Sequence, residues 1–384
     1  MLHTYKDVKV MNSKNLYHKY FLLENPFPIV PIPEEQPEIF GANQNALDRI
    51  IWQLNKVAKT NRPIHIVLVG PYGSGKTHLL RYLASEINQH IRGGLGAYVP
   101  HPGPDFISIY RRFVDNIGYD RLRNLAKGVN ERKLKESIIY HDFVTALANL
   151  NNPNKTLEAW RWITANTLTL EERRALRVAT SIEHEEEALN AFSALLKFLR
   201  NTGFRLICMI IDEFEEINSL VPLQKRRLFN DLRHLIDLNV ANFSLIIACT
   251  PHGWETIYEE NAALVRRFSS NVVFLEPLEE NAALELLANY MERFRVHSKS
   301  FQRFLIENGY DENSSSIYPF TKDAVTELCS ISKGNTGEIL KYSGIAIEMG
   351  LKEKHAKINA ELVRSLIAKY YGKLSEAPND ENLS

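Results

Sequence analysis

The chain has 384 residues, 45% hydrophobic and 24% charged, an ordinary globular composition that suits two or three packed units. Lys plus Arg and Asp plus Glu each number 46, so a whole-chain basic field for gripping nucleic acid is excluded and only a local basic patch is left open. Three isolated cysteines (Cys208, Cys249, Cys329) and histidines without an H-E-x-x-H spacing argue against a disulfide framework and a cysteine or paired-histidine zinc site.

In chain order, Met1–Asn25 is polar and aromatic with little period. "ENPFPIVPIPEEQP" (Glu24–Pro37) is proline-rich, and each X-Pro disfavours the helical region, so residues 1–37 read as an extended N-terminal segment. "NQNALDRIIWQLNKVAKT" places Ala46, Ile50, Ile51, Leu54 and Val57 at helix spacing. "IHIVLVG" (Ile64–Gly70) reads as a buried parallel strand, followed by a helix from Lys76; "GAYVP" (Gly96–Pro100) is a second strand. From Asp105 to Arg200 the periods are mostly helical, with "ERKLKESIIYHDFVTALANL" one stretch of them. "NNPN" (Asn151–Asn154) is a loop, followed by Trp160 and Trp162.

"RLICMII", "FSLIIACT" (Phe243–Thr250) and "NVVFLEP" (Asn271–Pro277) complete five strands. Strands alternating with helices predict an α/β fold, a parallel sheet between helices. From Leu278 the periods are helical only, "DENSSS" (Asp311–Ser316) reads as a loop, and residues 373–384 have the composition of a disordered tail. Neither a secretory leader nor an apolar run of membrane-spanning length is present, which predicts a soluble, cytoplasmic protein without a membrane partner.

"GPYGSGKT" (Gly70–Thr77) fits G-x-x-x-x-G-K-[ST], and it leaves an apolar strand and opens a helix as a phosphate loop must. Gly70, Gly73 and Gly75 let the backbone curl so that N–H groups converge on phosphate oxygens, and the helix start adds partial positive charge. The candidate nucleotide-holding residues are therefore Gly70, Pro71, Tyr72, Gly73, Ser74, Gly75, Lys76, Thr77 and His78. Lys76 is expected on the β- and γ-phosphates and Thr77 on Mg²⁺.

Such a site needs a second strand, expected next to the first, ending in an acid for the Mg²⁺ shell. "LICMIID" supplies Asp212, and Glu213 beside it is placed to orient the attacking water. The competing reading is an acidic helix start. That reading is preferred for Glu215 and Glu216, along with a subunit contact. Thr250, at the end of the fourth strand, reads equally as a γ-phosphate contact and as a helix N-cap before Pro251. Arg266 and Arg267 precede the last strand, where an arginine serves a neighbouring subunit's γ-phosphate; the alternative is a solvated surface pair.

These residues resemble the AAA+ ATPases of the origin-recognition initiator type. "IFGANQNALDRI" looks like the adenine-side box, and "GPYGSGKT", "IIDE", "IIACT" and "RRF" fall in the order Walker A, Walker B, sensor 1, arginine finger. The resemblance implies a five-stranded AAA+ core over residues 38–277 with a helical insertion at about 105–200, then a helical lid over 278–372. It also implies hydrolysis of ATP with Mg²⁺ by a ring or filament of subunits. Two features depart from the subgroup. The sensor 2 arginine position is Gly337, after Gly334–Asn335, with Lys341 a turn later, and no winged-helix segment follows the lid. The central region is more similar to the ATPases of phage-exclusion and transposition systems. Work on DNA with other proteins of a defence, transposition or replication complex is therefore the expected role. A protein-remodelling or secretion-linked ATPase, a nucleotide-gated scaffold and a small-molecule kinase are its rivals.

For DNA, the helical segment "LQKRRLFNDLRHLIDL" offers Lys225, Arg226, Arg227 and Arg233 as sequence-independent phosphate contacts, against the plainer reading of a charged outer face. Trp160 and Trp162 would stack on bases or, as preferred, pack inside the insertion.

Overall fold

The structure, a computed structural model, describes residues 16–27, 42–268 and 271–375. The readings of "PIVPIPEEQP", of the "IFG" that opens the adenine-side box and of the C-terminal tail beyond Ser375 lie outside them. The chain divides into two compact units. Among the described residues, one comprises 43–276 and the other comprises 16–27, Ala42 and 277–375.

The first unit is built on a parallel sheet of β1 (Ile66–Val69), β2 (Gly94–Val99), β3 (Leu206–Ile211), β4 (Phe243–Cys249) and β5 (Val272–Phe274). All five lie within or against the runs predicted for them. The spatial order is β2-β3-β4-β1-β5. This corrects one expectation: the strand ending at Asp212 does not adjoin the phosphate-loop strand. β4 intervenes, pairing with β1 from Ile66↔Ile246 to Val69↔Cys249 and with β3 from Ile207↔Phe243 to Ile211↔Ile247. Its seven residues are all buried, and only a strand so apolar can sit between two others under helices on both faces.

Helix α1 (Gln44–Thr60) buries Ile50, Leu54 and Val57, the positions of its apolar stripe. Helix α2 (Lys76–His90) leaves the phosphate loop. The insertion is helical, as read, and consists of α3 (Phe106–Ile117), α4 (Tyr119–Leu125), α5 (Glu131–Ser137), α6 (His141–Asn149), α7 (Thr156–Ile163), α8 (Leu170–Leu176) and α9 (Glu185–Asn201). The predicted continuous stretch breaks between α5 and α6, where extended Ile138 turns its side chain into the core and leaves Ile139 86% exposed. Trp162 is fully buried and donates from Nε1 to Thr180 O at 2.7 Å, while Trp160 meets Tyr119 edge-on with ring centroids 5.4 Å apart. Both indoles pack inside the insertion.

After β3 come a short 3-10 helix (Phe214–Ser219), α10 (Pro222–Asp237), and, beyond β4, α11 (Pro251–Glu260) and α12 (Ala262–Phe268). Asp231 of α10 has Oδ2 buried with no hydrogen-bond partner among the described residues. Burial, then Glu185, push its carboxyl up to about 6 against the pull of His234 and Arg227. Its folded pKa thus lies above the ordinary unfolded value, so its charge destabilises the fold above about pH 6 and that penalty fades as pH falls toward 4. Asp231→Asn should therefore stabilise the protein by about 1 kcal/mol near pH 8, discounted for partial exposure, and by nothing below about pH 4. Denaturant melts at the two pH values check this; an equal gain at both would refute the assignment.

The second unit holds α13 (Glu280–Phe294), α14 (Lys299–Glu307), α15 (Glu312–Ser316), α16 (Lys322–Ile331), α17 (Thr336–Lys352) and α18 (Ala360–Ser375). The segment read as a loop at Asp311–Ser316 forms a single helical turn, because Asp311 accepts from Ser314 N at 2.7 Å and caps it. Tyr20, Leu22 and Phe27, far upstream in sequence, are buried in the core of this unit. Arg295 anchors them. Its buried guanidinium donates to Tyr20 O at 3.1 Å and Tyr318 O at 2.6 Å and lies over the Phe301 ring. No described helix in either unit is long and apolar enough to cross a membrane.

Candidate nucleotide-binding site

The carboxyl ends of β1, β3 and β4 bring most of the predicted residues to one edge of the sheet. Gly70 N donates to Cys249 O at 3.1 Å, which holds the start of the loop against the end of β4. A Cβ on Gly70 would lie 2.6 Å from Ser74 Oγ and 3.0 Å from Leu275 Cβ, so only glycine allows the loop to close there. Gly73 and Gly75 turn at φ 76° and 88°, in the left-handed region. Asn43, itself left-handed at φ 61°, ties the start of α1 to the loop by donating Nδ2 to Ser74 O at 2.9 Å. No side chain caps the N-terminus of α2, and Ser74 Oγ is buried without a partner among the described residues. A cradle of this kind fits an anion.

Lys76 is 8% exposed, and its ammonium donates to Gly70 O at 2.7 Å and Pro71 O at 3.1 Å. Burial holds it below the usual lysine range, while Glu215 foremost, then Asp212, Cys249 and Glu213, push the other way. Tyr72 is exposed on the loop with Lys76 Nζ 5.5 Å from its ring; Pro71 is also exposed, and Thr77 and His78 are half-buried.

Asp212 is 1% exposed, and both its oxygens accept hydrogen bonds. Oδ1 takes one from Glu213 N and Oδ2 one from the Tyr98 hydroxyl, each at 2.9 Å. Glu213 sits at φ 47°, a left-handed conformation rare for a residue with a side chain. Its residue is exposed overall, yet partial desolvation, a hydrogen bond with Glu216 and the charges of Asp212, Glu216 and Glu215 hold its carboxyl above the usual range.

Glu215 and Glu216 do lie in a first helical turn, that of Phe214–Ser219. Glu216 pairs with His101 at 3.4 Å. Glu215 goes further than its sequence suggested. Its Oε2 is buried without a partner among the described residues, and its Cβ packs so close to Gly253 that a Cβ there would lie 2.6 Å away. Thr250, 7% exposed, caps α11 by accepting from Gly253 N at 3.1 Å, with Pro251 in the first turn.

The arginine pair falls on α12. Arg267 makes a two-pronged pair with Asp237 of α10 (3.0 and 2.8 Å) and donates to Ala263 O, which raises its pKa and lowers that of Asp237; Arg266 is exposed. On α10, Lys225 is paired with Glu260 at 2.7 Å, Arg226 and Arg227 are exposed, and Arg233 is half-buried. In the second unit, Gly334 (φ 73°) ends the turn after α16 and Asn335 caps α17 by accepting from Glu338 N; Gly337 and Lys341 lie in α17.

Tyr98, Asn43 and His101 were not singled out from sequence. The alternation Gly94, Gly96, Tyr98 was the available signal, since it puts Tyr98 on the glycine face of β2.

Among the described residues no three His, Cys, Asp or Glu side chains form a metal cluster. Thr77 and Asp212 suit a magnesium ion that keeps phosphate oxygens and water as its other ligands. The buried lysine, the orphan hydroxyl and the uncapped helix start suit a nucleoside triphosphate.

A parallel sheet carrying this loop between β1 and α2, with acids at the end of β3, defines a P-loop nucleotide-binding fold. Residues 60–257, more than half of the chain, match the family described as AAA domain, and the chain belongs to that family of nucleotide-hydrolysing P-loop ATPases. No curated protein sequence matches the chain. Among solved structures it is similar to the ORC2 protein of Aeropyrum pernix in ADPNP–ADP complexes, at 13% identity over 89% of this chain and 73% of that one, with a TM-score of 0.52. It is also similar to Cdc6p from Pyrobaculum aerophilum (12% identity, 91% and 73% covered, TM-score 0.46) and to the Thermotoga maritima RuvB Holliday junction branch migration motor (13%, 88% and 72%, TM-score 0.40). At such identities the likeness to ORC2 is one of fold.

Proposed function

We propose that the chain binds Mg·ATP at this edge, hydrolyses it, and uses the change to act on DNA within a multi-protein assembly for defence, transposition or replication. The observation that carries the ATPase reading is the convergence of buried Lys76 with Asp212 and Glu213 on one edge of the sheet, beside a loop whose glycines open an anion cradle.

In this reading Lys76 leaves the loop carbonyls for the β- and γ-phosphates. Gly70 to His78 wrap the phosphates, with backbone N–H groups donating. Thr77 and Asp212 hold Mg²⁺, which when bound neutralises phosphate charge as it develops. Glu213 accepts a hydrogen bond from the attacking water and aims it. Thr250 contacts the γ-phosphate through Oγ1 while still capping α11. An arginine of α12 completes a neighbouring subunit's site. Arg267 and Arg266 are the candidates for that role, and Arg267 would have to leave Asp237 to reach a neighbour's phosphate.

For DNA, Arg226 and Arg227 are the contacts we assign on α10, with Arg233 in support; Lys225 is occupied by Glu260. Contacts of this kind are sequence-independent and weaken with salt. ATPase rates measured with and without duplex DNA at two salt concentrations test the client. Stimulation that shrinks at the higher salt is expected. A flat response would end the DNA reading and favour a protein client or a nucleotide-gated scaffold.

A further inference from the structure

Strand β2 turns Leu95, Ala97 and Val99 to the core shared with the insertion, so Gly94, Gly96 and Tyr98 face the other way, as period-two alternation requires. That face meets α2. A Cβ on Gly94 would lie 2.3 Å from Ile87 O, and one on Gly96 would lie 2.9 Å from Ala84 O. The two glycines therefore let the helix lie directly on the strand. Each step of two residues up β2 moves about one turn back along α2, from Ile87 to Ala84 and then to Arg81. The guanidinium of Arg81 sits 5.0 Å from the centre of the Tyr98 ring. Arg81 in turn is four residues from Thr77, on the same face of α2.

The other end of the Tyr98 side chain reaches the next strand. Its hydroxyl donates to Asp212 Oδ2 at 2.9 Å. The second oxygen of that carboxylate is held by Glu213 N, and Asp212 N itself donates to Val99 O at 2.9 Å. One side chain thus braces the two elements that carry Thr77 and Asp212.

We propose that Tyr98 is a positioning residue for magnesium: it fixes the plane of the Asp212 carboxylate relative to the Thr77 face of α2. The inference rests on the reading of Asp212 as a metal-holding group. A carboxylate with one oxygen tied only to its neighbour's backbone can rotate about its last bond. With a phenol on the other oxygen it cannot, and each oxygen keeps a lone pair directed away from its donor. Hydrogen bonds of this outer kind typically change metal affinity by about 10–100-fold.

The test uses the whole chain and a fluorescent, non-hydrolysable ATP analogue, titrated in EDTA and at increasing Mg²⁺. Tyr98→Phe keeps the ring beside Arg81 and removes the hydroxyl, with its hydrogen bonds to Asp212 and Arg81. The expected result is unchanged affinity in EDTA, with the Mg²⁺ concentration for half-maximal effect raised about ten-fold. Asp212→Asn, run in parallel, should abolish the Mg²⁺ effect. An unchanged Mg²⁺ titration in Tyr98→Phe, with Asp212→Asn behaving as expected, would overturn the role of Tyr98 alone. Loss of affinity in EDTA and Mg²⁺ alike would also overturn it, since that marks a merely structural residue. A normal Mg²⁺ effect in Asp212→Asn would remove the reading on which the inference stands.

Discussion

Lys76→Ala is expected to raise the Kd for ATP about 100-fold, since hydrogen bonds to charged groups are worth up to about 3 kcal/mol and each 1.4 kcal/mol is a factor of ten. The ammonium is a cation that the site itself supplies, buried at 8% exposure and donating two hydrogen bonds to the loop carbonyls. Removing it deletes the phosphate contact. It also removes the ammonium that offsets Glu215, Asp212 and Glu213, whose charges act on that lysine, as a polyanion approaches. The fold should survive: Pro71 is exposed and its carbonyl can turn to water, so the loss is confined to the buried Gly70 carbonyl. Equilibrium binding of a fluorescent nucleotide, beside a thermal melt without nucleotide, separates the two. ATP bound as tightly as by the unmodified protein would show that the loop holds something else.

Glu213→Gln should do the opposite: keep or tighten ATP binding and lower turnover by about 10²–10⁴-fold. Gln has the same length and the residue is exposed, so neither packing nor the left-handed backbone at φ 47° should change. What disappears is the acceptor charge that would polarise water. One of the crowded acids disappears with it, and that crowding, after partial desolvation, helps to raise the Glu213 carboxyl. Phosphate release and nucleotide affinity, measured on one preparation, test the claim together. Undiminished phosphate release would move the water-orienting role to another acid, with Glu215 the first to examine, since its buried Oε2 has no partner among the described residues.

Much of this was legible in the sequence because the signals are local. A β-branched run ending in G-x-x-x-x-G-K-T announces a strand, a tight glycine turn and a helix start together, and "LICMIID" announces β3 and its terminal acid in the same way. The order of the strands was not legible. Nothing in "FSLIIACT" says that it will lie between the other two; only its uniform burial demand agrees once the sheet is known. Tyr98 stayed hidden because its importance depends on two glycines before it and a helix turn many residues upstream, a relation that exists only after β2 and α2 pack. Tyr20, Leu22 and Phe27 carry no helical period and could not be read as core. Their partners are residues such as Arg295 and Tyr318, at the other end of the chain. Arg266 and Arg267 were recognised as a pair, but the tie of Arg267 to Asp237, 30 positions away, could not be read from the local sequence.

Helix α10 is pinned at both ends. Near its start Lys225 is bound to Glu260 at the end of α11, and at its last residue Asp237 grips Arg267 of α12. Between these points Leu228, Leu232 and Leu235 lie in the same core as Leu264, Val265 and Phe268. A rod fixed at both ends and along its length cannot tilt without carrying its supports. Any load taken up by Arg226 and Arg227 is therefore passed as a rigid-body displacement to α11, whose first turn is capped by Thr250, and to α12, which ends in the arginine pair. The three helices form a plate, with Arg226 and Arg227 on one face and Thr250 and the arginine pair at its edges, and its stiffness would set how far a push on the outside is felt at the sheet.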